Sequence, residues 1–245
     1  MHRNQTTSRI SRLVRRVAAP ALLVFALSAA AALASSLPTV SRQQAKAVAN
    51  AITLKHSDLP TYTQEKNPIT AGELRQDAEL AKCDGGVPRS QEFAETQSPS
   101  FVKAPTGKPS ITVTADTEIL PSAALVAQDL DATKGPKGIP CLKADLRSQL
   151  GGSLPAGAKL QSITGKRLPN VVANSPTAFI DRFAVKISVK ESGATLELSL
   201  YADAIGFTYG QAEVSLTLET SDAPPPQALE RLLSEELLVR ARTAI

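Results

Sequence analysis

The stretch FIDRFAVKISVKESGATLELSLYADA, residues 179–204, decides how the rest of the chain is read. In it Phe183, Val185, Ile187 and Val189 alternate with Arg182, Ala184, Lys186, Ser188 and Lys190. After the turn signal Ser192-Gly193, Leu196, Leu198, Leu200 and Ala202 alternate with Thr195, Glu197, Ser199 and Tyr201. A period of two sends successive side chains to opposite faces, so each run is a strand with one apolar face, and the short turn joins them as a hairpin. Past a connection expected over 204–210, Ala212, Val214, Leu216 and Leu218 repeat the pattern against Gln211, Glu213, Ser215, Thr217 and Glu219. Three such strands in succession predict an antiparallel meander whose polar outer face meets water.

Upstream, residues 110–120 alternate in the same way, 159–168 form a further strand, and a short extended piece falls around 92–98. Helical patterns lie between these runs. Ser41 and Gln44 have capping-box spacing, and Ala45, Val48, Ala49 and Ile52 recur at i, i+3, i+4 and i+7, which predicts a helix over 41–54. Further helices are predicted over 71–82, 121–131, 140–150 and 227–242, the last offering Leu229, Leu232, Leu233 and Leu237 to a core. The resulting fold class is α+β: a single domain with an antiparallel sheet of about five to six strands and helices packed on one face.

The N-terminus is of a different kind. Arg3, Arg9, Arg12, Arg15 and Arg16 precede an apolar run from Val17 to Ala34 that ends in Ala32-Leu33-Ala34. Basic start, apolar middle and small-residue end describe a signal peptide over residues 1–34, with an uncleaved membrane anchor as the alternative. Either way residues 35–245 are expected outside the cytoplasm, and the membrane is touched only through the leader. Removing the five leader arginines from the formal net charge of +4 leaves about −1, so the basic sequence pI belongs to the targeting segment. No nucleic-acid surface follows from it.

Cys83 and Cys141 are the only cysteines. An exported chain with an even count favours a disulfide, and closing so long a loop is worth about 4 kcal/mol in the chain-entropy model. Two free thiols that never meet are the alternative. Two cysteines without a nearby histidine do not complete a zinc site, and no metal or other cofactor is expected. His56-Ser57-Asp58 contains the residue types of a nucleophilic triad, but sequence neighbours rarely form the required hydrogen-bonded line. There is no Gly-x-Ser-x-Gly elbow, and Thr106-Gly107-Lys108 lacks the remaining parts of a phosphate loop. The acidic pairs Asp129/Asp131 and Glu235/Glu236 read as solvated helix charge. No catalytic residue is assigned. Tyr201, Phe207 and Tyr209 are a possible binding surface, with a cap on the end of the core as the alternative.

A helix leading to Asp58-Leu59-Pro60, then Cys83, Phe101 and a strand, Pro121-Ser122-Ala123-Ala124 opening a helix, Cys141, a strand meander and a last helix make a pattern over residues 42–242. It resembles the extracytoplasmic sensor domain of PknH-type serine/threonine kinases of actinobacteria and its stand-alone relatives. The resemblance implies an antiparallel sheet flanked by helices, locked by disulfides, with a cavity for an unidentified ligand. Cys83 and Cys141 fall where one family bridge would be. This chain has no kinase domain, no cysteines for a second bridge, and Tyr62 near the place of a common tryptophan. The expectation is an exported, non-catalytic, sensor-like protein of the cell envelope that binds a ligand or a protein. A structural or interaction protein of the envelope with no small-molecule site is the alternative, and an extracytoplasmic hydrolase with an unrecognised site is the third reading.

Overall fold

The computed structural model describes residues 38–106, 109–155, 157–191 and 194–245. The leader at 1–34 and two residues of the Thr106-Gly107-Lys108 loop lie outside them. Among the described residues the α-helices are α1 (Arg42–Ile52), α2 (Ala71–Asp84), α3 (Ala123–Lys134), α4 (Gly138–Ser153) and α5 (Gln227–Ala244). The strands are β1 (Thr63–Glu65), β2 (Ala94–Gln97), β3 (Ser100–Lys103), β4 (Ile111–Ile119), β5 (Ala158–Leu168), β6 (Phe179–Glu191), β7 (Ala194–Tyr209) and β8 (Ala212–Ser221). No helix among the described residues is long and apolar enough to cross a membrane.

All eight strands form one antiparallel sheet, β1-β3-β4-β8-β7-β6-β5, with β2 sharing the outer edge of β4 with β3. Eight strands exceed the expected five to six. The additions, β1 and β3, are three and four residues long, too short to carry a visible period. The chain also stays extended through residues 204–209, where a connection was expected. There Gly206 pairs with Phe179, and a Cβ at Gly206 would come within 2.4 Å of the Phe179 ring. The glycine acts not as a breaker but as the space into which an aromatic ring closes.

Strand register explains the layers. On one face Val113, Ala115 and Ile119 of β4 line up with Leu218, Leu216 and Ala212 of β8, and then with Ile205 and Phe207 of β7. Ala45, Ala49 and Ile52 of α1 and Leu233, Leu237 and Leu238 of α5 complete this core. On β6, Phe183, Val185 and Ile187 project to the opposite face, where Leu142, Leu146 and Leu150 of α4 cover them. Helices therefore lie on both faces rather than one. Alternation shows that a strand has an apolar face, but only register shows which side of the sheet that face joins. Cys83 at the end of α2 is bonded to Cys141 in the first turn of α4, with Cα atoms 5.9 Å apart.

The helix ends follow local chemistry. The Thr70 side chain accepts from the Glu73 N–H while Glu73 accepts from the Thr70 N–H, which starts α2. Gly85, with φ of 87°, ends it in the left-handed region. Arg167 on β5 grips Asp181 of β6 through two bonds of 2.8 and 2.7 Å and donates to the last carbonyls of α3, those of Thr133 and Lys134. A cation there meets both the terminal carbonyls and the negative end of the helix.

Candidate functional site

The polar face of β4 and β8 is the main surprise. Thr112, Thr114, Asp116 and Glu118 on β4 and Glu213, Ser215, Thr217 and Glu219 on β8 share one side by register. All eight are buried. A wet outer face was expected here, but α3 packs over β7 and β8 on this side. Asp129 of α3, read from sequence as solvated, is fully buried and accepts the Val87 N–H at 2.6 Å. The alternation that marks an exposed strand face is the same whether or not a helix later covers it.

At one end of this face a small cavity of about 80 Å³, partly open to solvent, lies between the sheet and the end of α4. Leu150, Val185, Leu200 and Ala202 give it aliphatic walls, and Ser110, Thr112, Glu219 and Ser221 add polar groups. Four strands, β4, β6, β7 and β8, and the helix α4 place these side chains. Thr112 is directly across from Glu219 on β4, Ala202 is directly across from it on β7, and α4 brings Leu150 over the top. Glu219 is 7% exposed, and its Oε1 has no hydrogen-bond partner. Burial disfavours the charged form and pushes its carboxyl well above the ordinary glutamate range. Among the described residues no lysine or arginine lines the pocket. An aliphatic cleft with one perturbed carboxyl is a candidate binding site.

Further along the same face, Glu95, Glu118 and Glu213 stand at one register on three neighbouring strands. Oxygens of Glu92, Glu95 and Glu118 lie within 4.8 Å of one another, close enough to share a cation. Arg89 already brings positive charge to this corner, pairing with Glu95 and, at 3.3 Å, with Asp77.

The other face buries a second charged cluster beneath α5. Arg182 of β6 holds Asp203 of β7 in a forked ion pair and lies 3.5 Å from Glu230 of α5. Burial, reinforced by a hydrogen bond with Asp203, pushes the Glu230 carboxyl up to about 8. With Glu230 protonated below that value, α5 docks beside Asp203 by a hydrogen bond instead of by charge repulsion.

The residues singled out from sequence are scattered. Phe207 is wholly inside the core, Tyr209 is half-buried against it, and Tyr201 is half-buried at the pocket rim. Tyr201 and Tyr209 sit at opposite ends of the buried part of β7, roughly 27 Å apart along the strand. His56 is exposed on a short turn. Asp58 does not serve it. The Asp58 carboxylate accepts two bonds from Arg240 of α5, at 2.9 and 2.5 Å, and one from the Lys55 N–H. Burial alone would raise its pKa, but these bonds outweigh burial and hold it below the ordinary range. Tyr62 is half-buried with the Lys103 ammonium 5.3 Å from its ring centre, beside a more open proline-lined pocket of about 400 Å³. Glu219, the central group of the pocket, was legible only as a polar position in an alternating strand.

No family model matches the chain, and no curated protein matches it. Among solved structures it is similar to LpqN, a protein involved in cell envelope biogenesis of Mycobacterium tuberculosis. Identity is 11% and the TM-score 0.27, over 51% of this chain and 58% of that one. The match thus spans less than two thirds of LpqN, and at this TM-score it demonstrates no shared fold.

Proposed function

We propose that this chain is an exported, non-catalytic binding protein of the cell envelope that holds a small, largely apolar ligand between its sheet and α4. One observation carries the reading: the aliphatic pocket closed at one side by the unsatisfied carboxyl of Glu219. Export is supported by the leader pattern of residues 1–34 and by the Cys83–Cys141 bond, since such bonds persist in oxidising compartments. The resemblance to PknH-type sensor domains agrees with a helix-flanked sheet, a bridge at these two cysteines and a cavity. The non-catalytic reading is supported by the pocket's composition. Among the described residues its lining has no histidine, cysteine or lysine to join Glu219 in acid–base or nucleophilic work, and His56 lies outside it.

Native mass spectrometry of the protein recovered from its own cells, without reductant, tests this directly. The expected product lacks the leader, is two hydrogens lighter than the dithiol form, and carries a small-molecule adduct. Ala202→Phe, which fills the pocket, keeps the first two properties and loses the adduct. A full-length cytosolic product with two thiols, or an adduct that survives the filling substitution, contradicts the proposal.

A further inference from the structure

Glu219 makes the pocket more specific than an apolar cavity. The group is nine-tenths buried, and among the described residues its Oε1 accepts no hydrogen bond and no cation of the lining faces it. Ser221, another polar group of the lining, is engaged by the Ser110 N–H at 3.2 Å. A neutral ligand head, such as a hydroxyl or an amide, would be met as well by glutamine, which presents a donor and an acceptor without the desolvation problem. A carboxyl differs from glutamine in one respect, the charge it can take up. In these surroundings that charge is favoured only when a cation arrives beside it.

The walls indicate the rest of the ligand. From Ala202, directly across from Glu219, the same face of β7 continues through Leu200, Leu198 and Leu196. Leu200 is half-buried in the pocket, while Leu198 and Leu196 are 43% and 50% exposed, unusually open for leucine. The stripe covers roughly 20 Å from the carboxyl outward, at about 3.3 Å per residue. Its geometry is that of a buried carboxyl end and a long aliphatic track leading away from it.

We propose that the pocket takes a primary aliphatic amine, with the ammonium group against the Glu219 carboxylate and the hydrocarbon chain along Leu200, Leu198 and Leu196. This rests on the reading of the pocket as a ligand site and adds the ligand's chemical class. Charge selects the head, because an alkyl carboxylate meets either repulsion or a mere carboxyl pair. The leucines select the chain.

Decylamine, decanol and decanoate share one chain and differ in the head, and all can be used below micelle-forming concentrations. Calorimetric titration of the purified protein is expected to give at least tenfold tighter binding for decylamine than for decanol, with decanoate weakest. Glu219→Gln should erase the amine preference and retain decanol. Leu198→Ser should weaken all three, and Ala202→Phe should abolish them. Equal or tighter binding of decanol in the wild-type protein overturns the amine assignment and leaves the pocket standing, as does an amine preference that persists in Glu219→Gln. Failure of all three probes to bind, or binding untouched by Ala202→Phe, overturns the pocket reading itself.

Discussion

Position 219 shows how little a residue's type says before its neighbours are known. In sequence Glu219 is one polar member of an alternating strand, and a wet face is the ordinary reading of such a member. In the fold it is enclosed by Val185, Ala202 and Leu150, and its carboxyl resists ionisation. Glu219→Gln is accordingly expected to raise the melting temperature by a few degrees near pH 8 and to change it little near pH 5, as followed by circular dichroism. Gly206 is the converse case. A glycine inside a strand pattern signals a break or a close approach, and sequence does not say which. Phe179 fills the space above it, so Gly206→Ala is expected to cost about 1–3 kcal/mol by overpacking, measurable by urea denaturation.

Among the elements, the long periodic ones were legible. All five helices and the strands β4, β5, β6 and β8 fall within a few residues of their predicted spans, because each buries a regular stripe. What escaped depended on distant partners. On α5 the buried stripe runs through Glu230, Leu233, Ser234, Leu237, Leu238 and Ala241, while Leu232 is 61% exposed. Counting leucines picked Leu232 for the core, whereas the register of Arg182 and Asp203 on the sheet picked Glu230. The role of the disulfide is also set at this level. It fastens α2 to α4, which packs in turn on β5 and β6. Cys141→Ser is expected to lower stability by about 2–4 kcal/mol. Hydrogen exchange should show α2 losing protection first, while β4 and β8 keep theirs.

Across the whole molecule, buried carboxyl groups set the response to pH. Glu219 and Glu230 both have folded-state pKa values above their unfolded ones, Glu230 at about 8. The native state therefore binds more protons than the unfolded chain over that interval, and the stability they contribute, fully present below about pH 4.5, is lost as pH rises toward 8. Asp58 works in the opposite sense. Held down by Arg240, it contributes above pH 3.8, and that contribution fades as the pH falls below it. The urea midpoint is thus expected to be higher near pH 5 than near pH 8.5, and Glu219→Gln combined with Glu230→Gln should flatten this slope. The general architecture, an α+β domain with one antiparallel sheet and one disulfide, could be read from periodicity and cysteine count. The pocket could not, because it is formed where β4, α4 and the β6–β7–β8 meander converge from three separate parts of the chain.

The central claim is that this convergence is a ligand site. Methyl NMR of the isotopically labelled protein during titration with decylamine tests it most directly. Concerted shifts of Leu150, Val185, Leu200 and Ala202, absent in Ala202→Phe at its remaining positions, are the predicted result. Shifts confined to residues outside the pocket, or an unchanged spectrum at saturating probe, would contradict it.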